Sequence, residues 1–298
     1  FLMAFIDKFL KRSVLEQESD SPLNILACFS KKETGIALCK IANYLLQSKI
    51  KDEQIATLHL MEEEEYNKIE NIEEYKATLY DGIIDLCRKS TKMVRTFIKP
   101  SNDFVEEILS TSDELDCNLV LIGIGRTVFT PQLWGSYQRF KAYQDSQQEI
   151  DDTTLTTISH KGVSTLLERN ERTTGIFIEH NLGAINDVFI PILDKTDIHI
   201  FDYIKRLAEN TVAKITLWDA IGVIDTDPEL KKAFSTMRKN ASGKVSMWDN
   251  SKKIDYEFIK QLDLVVIGFE GWSKLISSAI TWSHSLPSTL IIRKKLDD

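Results

Sequence analysis

Two stretches of this chain open alike: "NLVLIGIGRTVFTPQLWGS" at 118–136 and "DLVVIGFEGWSKLISSAI" at 263–280. Each begins with a continuous apolar run that ends on a glycine, Gly123 in one and Gly268 in the other. A short apolar run bounded by glycine reads as a strand buried on both faces. The matched cores "LVLIG" (119–123) and "LVVIG" (264–268) therefore anchor a repeat.

Strands and helices alternate outward from each core. Before the first core come strand "NILACF" after a Ser-Pro breaker, a helical stripe over 31–48, strand "QIATLHLM" (54–61) and an acidic loop at 62–65. A helix over 73–90, strand "MVRTFIKP" (93–100) and an Asx-capped helix over 102–115 complete that side. Strand "TTGIFIEHN" (173–181) closes the unit. Around the second core stand strands at 187–194, 212–222, 244–249 and 288–294, with helices at 198–209, 227–240, 256–262 and 272–283. Apolar strands separated by single helices imply βαβ crossovers and a parallel sheet. The expected fold is α/β, with two tandem doubly wound parallel-sheet units of strand order 3-2-1-4-5. The expected boundaries are a leader and linker at 1–20, a first unit at 21–183 and a second, smaller unit at 184–298. The first unit carries a polar insertion at about 141–160.

Composition narrows the function. With 37 Lys and Arg against 45 Asp and Glu, the chain is acidic and lacks the basic runs that nucleic-acid binding needs. Cys28, Cys39, Cys87 and Cys117 form no C-x-x-C pair and read as reduced, buried thiols. The five histidines never stand at metal-ligand spacing, so no metal site is expected. Ser159-His160 has no acid partner in sequence, there is no P-loop, and no catalytic residues are assigned. Trp134, Trp272 and Trp282 read as core residues before base-stacking ones.

A doubly wound unit opens its ligand crevice at the carboxyl ends of strands 1 and 4. In the first unit this brings Cys28, Phe29 and Ser30 to Gly123, Gly125, Gly135 and Ser136. In the second it brings Pro191 and Asp194 to Gly268 and Gly271. Glycines there let a backbone approach a polyphosphate, and Gly135-Ser136 would open the next helix with free N–H groups. Asp194 would accept from a ribose or adenine edge. The plainer reading of a lone Gly-x-Gly is a turn.

The spacing Gly-x-x-Gly-x(9)-Gly-Ser/Thr after a strand resembles the universal stress protein fold, whose ATP-binding members carry that motif. Gly125-x(9)-Gly135-Ser136 matches its second half, with Gly123-x-Gly125 replacing the first. "IPILD" supplies the family's aspartate as Asp194, and Gly268-Phe269-Glu270-Gly271 matches Gly-x-x-Gly, but Thr281 and Trp282 replace the later pair. The first unit has "ACFSKK" in place of that aspartate. The resemblance implies ATP, ADP or AMP as a bound ligand, with no cofactor required.

The leader "FLMAFIDKFLKRS" is apolar and then basic through Lys8, Lys11 and Arg12. It is too short to span a bilayer and has its charges on the wrong side for a signal peptide. It reads either as an amphipathic helix or as the cytoplasmic exit of a membrane helix. Together with the tandem units, it resembles the cytosolic tail of monovalent cation:proton antiporter-2 family proteins. That resemblance implies a non-enzymatic regulatory or nucleotide-sensing domain of a cation/proton (Na+/H+ or K+/H+) antiporter. It would lie on the cytoplasmic side of the bacterial inner membrane. Its partners would be the transmembrane antiporter domain of the same chain and a second copy in a homodimer. The alternative is a free-standing tandem universal stress protein binding ATP or AMP, and the third reading is an adenylyl-transferring enzyme of the same superfold.

Overall fold

The computed structural model describes residues 22–47, 50, 52–88, 94–124, 160–278 and 286–295. The leader, the insertion at about 141–160 (save its last residue) and Gly125, Gly135, Ser136, Trp134 and Trp282 lie outside the described residues.

The first unit runs β1 (Asn24–Phe29), α1 (Lys32–Leu45), β2 (Gln54–Met61), α2 (Glu63–Tyr66), α3 (Ile72–Arg88), β3 (Val94–Pro100), α4 (Phe104–Glu114), β4 (Leu119–Ile124), α5 (His160–Arg169) and β5 (Thr173–Ile178). The second runs β6 (Asp187–Ile192), a 3-10 turn (Lys195–His199), α6 (Ile200–Asn210), β7 (Lys214–Asp219), α7 (Val223–Thr226), α8 (Pro228–Asn240), β8 (Val245–Met247), α9 (Tyr256–Ile259), β9 (Leu264–Gly268), α10 (Phe269–Ser277) and β10 (Ser288–Arg293). The acidic stretch after β2 is a short exposed helix instead of a loop, and the last helix starts at Phe269, directly after β9, instead of at 272. The α4 cap is as the sequence predicts, with the Asp103 carboxylate accepting from the Glu106 N–H at 3.0 Å.

All ten strands form one sheet in the order β3-β2-β1-β4-β5-β10-β9-β6-β7-β8. Read inward from either edge, each half is 3-2-1-4-5, the expected doubly wound order. Pairing is parallel within each half, and the halves meet at one antiparallel pair, β5 with β10, in register from Ile178↔Thr289 to Thr174↔Arg293. The continuously apolar strands are covered on both faces. One face carries α1, α3, α6 and α8, and its core runs without a break from Leu38 and Ile41 to Ile204 and Leu207. The other carries α4, α5, α9 and α10, with Ile108, Leu166, Ile259 and Trp272 buried beneath them. Trp272 is thus a core residue. All four cysteines are buried free thiols.

The halves are also joined by polar groups that the helical pattern hides. The Arg206 guanidinium on α6 meets the Glu53 carboxylate at 2.6 Å, with both side chains buried. Arg206 also donates to the Leu45 carbonyl at 3.1 Å, and Glu53 accepts from the Leu23 and Gln47 N–H groups. Beside them, Asn210 Nδ2 donates to the carbonyls of Tyr44 (3.0 Å) and Leu46 (2.7 Å). Within the first unit, Lys40 Nζ holds the end of the segment that leads to the second, reaching the Gly183 carbonyl at 2.7 Å.

Candidate crevices at the strand ends

The pairings set the two halves in common register. Ile25 lies opposite Leu119, and Val188 lies opposite Leu264. Counting on equally from Ile25 and Val188 brings Thr34 and Asp197 to equivalent places at the mouths of the crevices. Each stands over a glycine near the carboxyl end of the fourth strand of its own half, Gly123 next to last in β4 and Gly268 last in β9. A Cβ on Gly123 would come within 2.1 Å of Thr34 Cγ2, and a Cβ on Gly268 within 2.1 Å of Asp197 Cγ. Both glycines therefore have the same job. They let the first helical segment after strand 1 cross close over the end of strand 4.

In the first crevice, Ser30 lies half-buried at the end of β1 and Gly123 lies near the end of β4. A cluster of rings walls its side. Phe29 meets His59 at 5.4 Å and Tyr80 edge-on at 6.2 Å. His59 Nε2 lies 3.1 Å from the Tyr75 hydroxyl. Burial brings the His59 pKa down to about 4, against a hydrogen bond with the Phe29 backbone that raises it. The imidazole is therefore neutral at neutral pH and serves packing. Burial also pushes the Cys28 thiol well up, with Cys117 adding to the shift, which removes it as a nucleophile.

In the second crevice the structure sets Asp197, not Asp194, on Gly268 and Gly271. Asp194 caps the 3-10 turn, accepting from the Thr196 N–H at 2.9 Å, and pairs with Lys274 Nζ at 2.5 Å. That turn carries the chain inward, so the next acid points into the sheet end. The Asp197 side chain is 1% exposed and accepts from the N–H groups of Glu270 (3.3 Å) and Gly271 (2.6 Å), in the first turn of α10. Burial raises its pKa to about 7, with repulsion from Asp194 and Glu270 adding and the two amides opposing. Partial burial alone would raise Asp194 as well, but hydrogen bonds from Lys274 and Thr196, with the Lys274 charge, bring it down to about 2. Gly271 fits the same picture, since a Cβ there would lie 2.5 Å from Asp197 Oδ2.

A cavity of about 440 Å3 also lies between the halves, lined by His199, Tyr203 and Arg206 of one and Asn118, Arg172 and Thr173 of the other. Among the described residues, no group of three His, Cys, Asp or Glu side chains could hold a metal ion. No helix among them is long and apolar enough to cross a membrane.

The sequence reasoning missed Asp197. The signal that could have found it was register: aligning the first strands of the repeats, "NILACF" (24–29) on "DVFIPI" (187–192), places Thr34 and Asp197 at one position.

No family model matches the chain, and no curated protein matches it. Among solved structures, a functionally unknown protein from Pseudomonas aeruginosa aligns at 11% identity, covering 93% of this chain and 95% of the other, with a TM-score of 0.46. A candidate universal stress protein from Pseudomonas aeruginosa aligns with the same identity, coverage and TM-score. Each half of the present chain has the doubly wound arrangement in its own strand order.

Proposed function

We propose that this chain is a regulatory module without catalysis of its own, in which the first crevice alone is available to a nucleotide. The carrying observation is the inequality of the two crevices. At one structural position the second half places a carboxyl group on the phosphate-binding helix start, whereas the first half places the neutral Thr34. A polyphosphate approaching Ser30 and Gly123 meets no acid at that position. The ligand is ATP, ADP or AMP, held by Gly125, Gly135 and Ser136, which follow β4 in sequence.

The module is the cytosolic tail of a cation/proton antiporter, lying on the cytoplasmic side of the bacterial inner membrane. Support for this comes from the apolar-then-basic leader (Lys8, Lys11, Arg12) ahead of a tandem pair of degenerate units. Reading the gene upstream of Phe1 separates this from a free-standing tandem universal stress protein. Many hydrophobic spans support the tail, and a nearby start codon sinks it.

Nucleotide binding is tested by calorimetric titration with ATP, ADP and AMP. Ser136→Ala removes one hydroxyl donor, worth about 1 kcal/mol, or about fivefold in affinity. Binding that survives Gly135→Val unchanged would move the site elsewhere.

A further inference from the structure

The second crevice has the parts of an anion site: a strand ending on glycine, a glycine one turn on, and the first-turn amides of α10 facing the gap. Helix N-termini bind anions because their N–H groups lack intrahelical partners and the dipole favours negative charge. Here those amides already have a partner. The Asp197 carboxyl takes the Glu270 and Gly271 N–H groups, one per oxygen. It is 1% exposed, and a Cβ at Gly268 or Gly271 would collide with it.

We infer that the second crevice is closed from within, with the Asp197 carboxyl standing on the α10 amides as a tethered acceptor group that keeps phosphate groups out. A free phosphate must displace a group held at high effective concentration by its own backbone. It must also approach the acids Asp194 and Glu270. Lys274, the nearby cation on α10, is engaged by Asp194 at 2.5 Å. His199, on the same turn as Asp197, directs its ring nitrogens to the carbonyls of Thr196 and Ile292. β9 carries no charged side chain, and Asp187 of β6 lies at the opposite strand end. The inference is independent of whether the first crevice binds a nucleotide.

The test uses the full chain, labelled for amide NMR, and inorganic tripolyphosphate as the probe. In the wild type, the Glu270 and Gly271 amide signals should stay fixed as tripolyphosphate reaches millimolar concentration. In Asp197→Ala, which frees both amides, the same signals should shift and saturate. In Asp197→Asn, which keeps the volume, they should again stay fixed. Saturable shifts in the wild type, or none in folded Asp197→Ala, would overturn the inference. If Asp197→Ala does not fold, a pH titration of the wild type decides. The Gly271 amide should move together with the Asp197 carboxyl carbon, and a Gly271 signal indifferent to that titration rejects the contact.

Discussion

Glu53→Gln is a change of one atom with a large expected cost. Glu53 is fully buried and accepts from Arg206 and from the Leu23 and Gln47 N–H groups. The amide keeps one acceptor oxygen but turns a donor toward groups that are themselves donors. It also removes the negative charge that faces the Arg206 guanidinium, 3% exposed, at 2.6 Å. Breaking a buried ion pair from one side costs about 3–5 kcal/mol. For a chain of this size that corresponds to a Tm lower by roughly 10 °C. Because Glu53 belongs to the first half and Arg206 to the second, the loss should fall on their union, and a single urea transition should broaden or split. Far-UV dichroism across a urea series reads both effects. Arg206→Met added to Glu53→Leu should recover much of the loss, since the pair is then replaced by apolar contact. A Glu53→Gln chain within about 1 kcal/mol of wild type, still unfolding in one sharp step, would refute the reasoning, because that is the range of an exposed pair.

The other expectations concern the glycines, the acids and the leader. Gly123→Ala should destabilise by about 1–3 kcal/mol through overpacking against Thr34 Cγ2. Adding Thr34→Ser, which deletes that methyl, should return part of the loss in the same urea assay. For pH, Asp197 is raised from 3.8 to about 7 in the fold, so the folded state binds more protons between those values. Stability should fall as pH rises from about 4 to about 7. Asp194, brought down to about 2, contributes stability above pH 4 that is lost as pH falls toward 2. Urea midpoints measured from pH 3 to pH 8 test both limbs, and Asp197→Asn should flatten the upper one. Deleting residues 1–18 should leave Tm nearly unchanged and raise solubility if the leader is a membrane exit. A loss of several kcal/mol, as for buried Phe side chains, would tie it to the core. Light scattering over a concentration series tests the homodimer, and a strict monomer at high micromolar concentration would remove it.

The strands were legible because burial on both faces writes itself as unbroken apolar runs. "QIATLHLM" is β2 to the residue, and the repeated core gives β4 and β9. The polar interior was not legible. Arg206 sits in an amphipathic helix where an arginine ordinarily faces water, and the carboxylate that makes its burial tolerable is 153 residues away. Asp197 follows Asp194 so closely that either could be the acid at the strand end. What separates them is the 3-10 turn, a backbone detail with no periodic trace in the side chains. The expectation for Gly123 and Gly268 was a backbone open to a polyphosphate. Their closest neighbours, however, are side chains of their own half.

The antiparallel seam between β5 and β10 consumes the edge that each half would otherwise offer to a twin. Among the described residues, the strands left at the edges are β3, which carries Arg95 and Lys99 and stops at Pro100, and β8, only three residues long. Both are poor templates for further pairing. Two separate copies joined by such a seam would come apart on dilution, and any mutation would strike both at once. Held in one polypeptide, the halves cannot part company, whatever the cellular abundance. Each is then free to drift alone, as the threonine of one and the aspartate of the other illustrate. If the molecule is the regulatory module proposed above, a signal crossing the seam travels as a change of shape, because changing the number of copies there is no longer open to it.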